Sequence, residues 1–177
     1  MSQPIATTPT PSATIAADLS PQSYLQAAKF LSGLDGDWAR QIAAIGPCLH
    51  QAKPAREPYE ALVRAIAYQQ LHTKAGDTIL ARFLALYPYT AFPSAQQLLA
   101  SDPEIQRACG LSAAKLAAIR GIAQARLDGI VPTRDQALSL SDEALVERLV
   151  SLKGVGRWTV EMFLIYTLER SDILPVD

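Results

Sequence analysis

The sequence predicts an all-α fold, on three observations. Apolar residues recur at helical spacing, as in Leu62, Ile66, Ile79, Phe83 and Leu86 across 59–86. Helix-start signals repeat along the chain: Ser20-Pro21, Asp102-Pro103 and Ser141-Asp142-Glu143. No stretch alternates with a period of two, so no sheet is expected.

Taken in order, residues 1–19 are rich in Ser, Thr, Pro and Ala. Such a segment buries too little apolar surface to offset its ordering entropy and is expected to be a disordered tail. Residues 20–58 read as N-terminal helices. Ser20 caps the first, which runs to about Leu31, and Gly33 to Gly36 turns the chain. Asp37 caps the second, and Gly46-Pro47 ends it. A helical core follows over 59–177. Its first long apolar segment is interrupted by Gln69-Gln70-Leu71-His72-Thr73, a polar junction between two strongly helical halves. Ser94, Asp102-Pro103 and Leu111-Ser112 open three further helices. Gly129 closes the last of them, and Ser141 opens another.

Bulk properties bound the function. A chain of 177 residues builds one real core or two small lobes. A net charge of −1 excludes a broadly basic nucleic-acid protein, so any contact with phosphate must be local. No apolar run approaches the roughly 18–20 residues of a membrane helix. The N-terminus lacks a basic region followed by an apolar core, and a cytoplasmic protein is expected. Cys48 and Cys109 are isolated, so two buried free thiols are expected. Without a Cys-x-x-Cys or His/Cys cluster, neither a metal nor another cofactor is expected.

The most informative stretch is Leu152-Lys153-Gly154-Val155-Gly156-Arg157-Trp158-Thr159, between two helical patterns and within a helix-hairpin-helix at about 141–168. Glycine takes positive φ without steric cost, so Gly-Val-Gly reverses the chain in few residues. The helix it opens presents N–H groups with no internal partner, at the positive end of its dipole, which suits a phosphate. Lys153 and Arg157 add positive charge. An ordinary corner between helices with a glycine C-cap has the same pattern.

The hairpin, a helix, and then Asp172-Ile173-Leu174-Pro175-Val176-Asp177 together resemble the helix-hairpin-helix DNA glycosylase superfamily. Lys-Gly-Val-Gly-Arg-Trp-Thr-Val-Glu-Met-Phe is similar to its alkylpurine branch, the 3-methyladenine DNA glycosylase II type. The close match covers about 149–177, and a weaker one lies at about 59–76. The resemblance implies a two-lobed helical fold with a base pocket in the cleft, acting as a monomer on damaged duplex DNA. It implies Asp177 as the catalytic carboxylate, with Asp172 and Glu161 as weaker candidates. Trp158 would line the base pocket or face the sugar, the alternative being a core indole that packs the hairpin; Tyr68 would line the pocket. Gln70, Leu71 and His72 would contact the minor groove and fill the gap left by an extruded base; Gln69 is either part of that set or a structural hydrogen-bonder. Lys153, Gly154, Val155, Gly156, Arg157 and Thr159 would hold the DNA backbone, and Lys115 would meet a phosphate. Tyr166 and Phe163 are expected in the core. Because relatives often carry a second acid and further helices beyond this point, a C-terminally truncated chain is expected.

The chemistry fits these residue types. Cleaving an N-glycosidic bond builds positive charge on the sugar, which a facing carboxylate stabilises. An alkylated purine is electron-poor, and an aromatic face attracts it by about 0.5–2 kcal/mol. Bifunctional members carry a lysine at the position of Trp158, and an indole cannot form a Schiff base. A monofunctional glycosylase that leaves the strand intact follows. A non-catalytic helix-hairpin-helix DNA-binding module is the competing expectation: it accounts for Gly-Val-Gly but not for the Pro-Val-Asp loop or the junction at 69–73.

Overall fold

Local capping chemistry starts most of the helices. Ser112 Oγ accepts from Lys115 N and Ser141 Oγ from Ala144 N, each satisfying one orphan donor of a first turn. Ser94 with Gln97, and Thr133 with Gln136, form reciprocal capping boxes. The computed structural model describes residues 21–50 and 56–175, and every regular element among them is a helix. These are α1 (Pro21–Ser32), α2 (Gly36–Ile45), α3 (Pro58–Tyr68), α4 (Thr73–Ala85), α5 (Ala95–Ala100), α6 (Pro103–Ala108), α7 (Ala113–Leu127), α8 (Arg134–Ser139), α9 (Asp142–Leu149) and α10 (Arg157–Tyr166). The expected tail at 1–19, the Ser20 cap and Asp177 lie outside the described residues.

Two expectations need correction, and one helix was not expected. The cap of α2 is Asp35, not Asp37: its extended backbone lets Oδ1 accept from Asp37 N and Trp38 N, both at 2.9 Å. Asp37 instead sits inside the first turn and pairs with Arg40. Cys48 is exposed, because it follows the helix-ending Gly46-Pro47 in a segment that packs on little, whereas Cys109 is buried. Finally, α8 is an additional helix. Six residues are too short to display periodicity, but Thr133-Arg134-Asp135-Gln136 carries the capping-box pattern.

The core is organised around α7. It packs against α3, α5 and α6, while α3 also meets α4 and α10, and α10 meets α9. Leu116, Ala118, Ile119, Ile122, Ala123 and Ala125 of α7 are all buried, and the alanines let neighbouring helices approach closely. Leu62, Ile66 and Phe83 are buried as the periodicity requires; Ile79 and Leu86 are partly buried against the same core. Removing the side chain of a residue such as Leu62 or Ile119 would cost about 2–5 kcal/mol. Helices α1 and α2 pack chiefly on each other, and α2 buries no residue.

Cations reaching from other elements close several helix ends. Arg120 of α7 donates to Leu98 O, Leu99 O and Ser101 O at the end of α5. Arg170 donates to Leu138 O and Leu140 O at the end of α8, and Arg148 to Gly129 O and Ile130 O after α7. Lys115 does the same for α3. Each satisfies orphan carbonyls and complements the negative end of a helix dipole. Much of the positive charge is therefore engaged internally.

Candidate functional site

Of the two hairpin glycines, only Gly154 needs to be glycine for its conformation. Its φ is +85°, and a Cβ there would lie 3.0 Å from the Ala118 Cβ of α7. Gly156 has φ −90° and open space around it, and it stands as the N-cap of α10. Val155 between them is buried, and its N–H donates to Leu152 O at 3.0 Å. No side chain caps α10, and no acid occupies its first turn, so its leading N–H groups stay available to an anion. Lys153 is exposed beside them and makes no ion pair among the described residues.

Arg157 stands differently. Its Nη1 and Nη2 donate to the two carboxylate oxygens of Glu143 on α9, at 3.2 and 3.0 Å. Its Nε donates to Glu161 Oε1 at 3.0 Å. The bond to Glu143 raises the pKa of Arg157, and the same contact lowers that of Glu143. Glu161, a weaker candidate for the catalytic acid, is buried, and its second oxygen Oε2 has no hydrogen-bond partner among the described residues.

Helix α3 stops where Gln69 turns to an extended conformation and Gln70 takes φ +55°. Residues 69–72 of the junction then divide. Gln70, Leu71 and His72 are exposed. Gln69 faces inward: Nε2 donates to Gly154 O at 3.0 Å and approaches Thr159 Oγ1 at 3.5 Å. Gln69 thus makes a structural hydrogen bond while also lining the adjoining cleft. Thr159 itself is buried.

A cleft of about 1220 Å³ lies between this junction, the start of α7, the hairpin and α10. Trp158, Met162 and Tyr166 line it from one face of α10, at four-residue spacing. Trp158 is 52% exposed, so its indole is not part of the core. Tyr166, expected in the core, is 48% exposed and rests against His50 at 4.9 Å between ring centres. Of the two aromatics expected in the core, Phe163 is the buried one. The Trp158–Met162–Tyr166 stripe, offset from the apolar Val160–Phe163–Leu164 face, was the sequence signal for this second aromatic.

Tyr68 lines the opposite wall. Its hydroxyl donates to Asp77, a bond that raises the phenol pKa, and its ring lies over Gly76, where a Cβ would come within 2.4 Å. Gly76 is therefore the space that seats Tyr68. Lys115, expected at a phosphate, instead donates to Ala67 O and Gln69 O. Asp172 is exposed, and Asp177 lies outside the described residues.

A glycine-turned pair of helices, joined by an inward glutamine to a protruding loop over an aromatic cleft, defines a helix-hairpin-helix protein. Residues 63–177 match the family described as HhH-GPD superfamily base excision DNA repair protein, and the chain belongs to that family. It is 44% identical over 156 residues to DNA-3-methyladenine glycosylase 1 of Schizosaccharomyces pombe, covering 88% of this chain and 68% of the relative. Among solved structures, it is similar to the S. pombe 3-methyladenine DNA glycosylase Mag1 in complex with abasic DNA. There the TM-score is 0.80 at 44% identity, over 86% of this chain and 74% of that one. It is also similar to a DNA-3-methyladenine glycosidase from Bacillus halodurans, with a TM-score of 0.71 at 26% identity, over 89% of this chain and 68% of that one.

Proposed function

We propose that this protein excises alkylated purines of the 3-methyladenine type from duplex DNA by base flipping, without cutting the strand. The observation that carries this is the half-exposed Trp158 on a cleft lying between the exposed 70–72 loop and the hairpin. The relatives named 3-methyladenine glycosylases support it.

Each step has residues suited to it. The free N–H groups of α10 and Lys153 hold a backbone phosphate at the hairpin. Gln70, Leu71 and His72 enter the minor groove and occupy the gap, offsetting the few kcal/mol lost on unstacking. The extruded base lies against Trp158 and Tyr68, whose faces favour an electron-poor ring. Asp177 stabilises the charge that develops on the sugar as the base departs. With an indole at Trp158, the sugar meets no amine nucleophile there, and the abasic product keeps its strand whole. The protein acts as a cytoplasmic monomer.

The test uses a labelled duplex with one alkylated or ethenoadenine base, scored for strand breaks with and without alkali. Breaks only after alkali are expected. Breaks without alkali would overturn the monofunctional mechanism, and tight binding to abasic DNA with no base release would favour a non-catalytic binding module. Asp177→Asn is expected to abolish most base release while leaving DNA affinity within about twofold. Unchanged release would remove Asp177 from the mechanism.

A further inference from the structure

We infer that Lys115 is a positioning residue that locks the 69–72 loop to the glycine hairpin before DNA arrives, rather than a contact to phosphate. This builds on the proposal that loop and hairpin grip DNA together.

The contacts form a closed ring. Lys115, in the first turn of α7, sends Nζ to Ala67 O at 3.0 Å and to Gln69 O at 2.5 Å. These are orphan carbonyls at the end of α3. From the same Gln69, the side-chain amide donates to Gly154 O at 3.0 Å. Gly154 in turn sits so close to Ala118 that an added Cβ would lie 3.0 Å from it. Ala118 is one turn beyond Lys115 on α7. Loop, hairpin and helix thus brace one another, and the rigid side is α7, which packs against α3, α5 and α6. The ring also explains why Gln70 holds φ +55°, a conformation a non-glycine residue keeps only when its surroundings impose it. Lys115 lines the cleft, but two of its three ammonium donors are engaged by these carbonyls. Its partial burial, which pulls its pKa down, disfavours a freely hydrated phosphate anchor.

The test is Lys115→Met, which keeps the stem and removes the charge, with Lys115→Arg as the conservative variant. Amide hydrogen exchange is followed at Gln69 and Leu71, whose N–H groups are bonded to Ala65 O and Tyr68 O. Exchange at both should rise about 10- to 100-fold in Lys115→Met, as expected for loss of a charge-assisted hydrogen bond, and fall back in part with arginine. The salt dependence of duplex binding should keep its slope, because no phosphate contact is lost. Single-turnover excision should fall about 10- to 100-fold, since a loop displaced by roughly 1 Å misplaces the base. Unchanged exchange would overturn the proposal, as would a binding slope reduced by about one. If Lys115→Met does not fold by circular dichroism, Gln69→Ala opens the ring on its other side and must raise exchange at Leu71; no rise there overturns it equally. Absence of excision by the wild-type protein would remove the glycosylase activity, while the exchange data would still decide the role of Lys115.

Discussion

Replacing Gly154 by alanine isolates what the hairpin demands of its sequence. Two costs arise. A side chain at φ +85° is strained by about 1–2 kcal/mol. The new Cβ also meets the Ala118 Cβ at 3.0 Å, and that atom belongs to a buried helix that yields little, which adds about 1–3 kcal/mol of overpacking. Restricting the unfolded chain offsets about 0.4–1 kcal/mol. The net loss is about 1–4.6 kcal/mol, which for a chain of this size lowers Tm by roughly 2–18 °C. Gly156→Ala is the internal control. It has an ordinary φ and open space, so only a cap preference of about 0.5 kcal/mol is at stake. Thermal unfolding of both variants, followed by circular dichroism, gives the comparison. Equal Tm values for the two would refute the assignment of the turn to Gly154 alone.

Three further outcomes are expected. Lys153→Ala should reduce the slope of log affinity against log salt by about one, and Arg157→Ala by less, because Glu143 and Glu161 already face that guanidinium; the reverse order in a salt titration would reject this division. Glu143 has its folded pKa held below the ordinary 4.5 by Arg157, so its stabilising effect is present above that value and disappears as pH falls through the lowered one; the Tm difference between wild type and Glu143→Gln should therefore be full at neutral pH and vanish in acid. Gln106 is fully buried, donating to Tyr87 Oη and Leu98 O and accepting from Arg120, so Gln106→Met should lower the urea midpoint by an amount worth about 2–3 kcal/mol; a midpoint within error of wild type would contradict the role of this network.

Much of the architecture was legible in the sequence because its causes are local. A serine or threonine caps the helix beginning one residue later, and glycine permits a turn at its own position. The starts of α5, α6, α7 and α9, the break after Tyr68 and the hairpin at Gly154 were all open to this logic. Tertiary packing decided which side chains remain available. Arg157 is engaged because α9 places Glu143 beside it, and Lys115 because the end of α3 comes to rest over α7. Gln69 turns inward because Gly154 O lies within its reach, leaving Gln70 to His72 outside. Tyr166 faces the cleft because Phe163 and Leu164 take the buried side of α10. Caps and turns are set within a few residues of chain, so sequence alone determined them. The partner of a charge or an amide is set by helices distant in sequence, so only the folded arrangement decided which groups face the cleft.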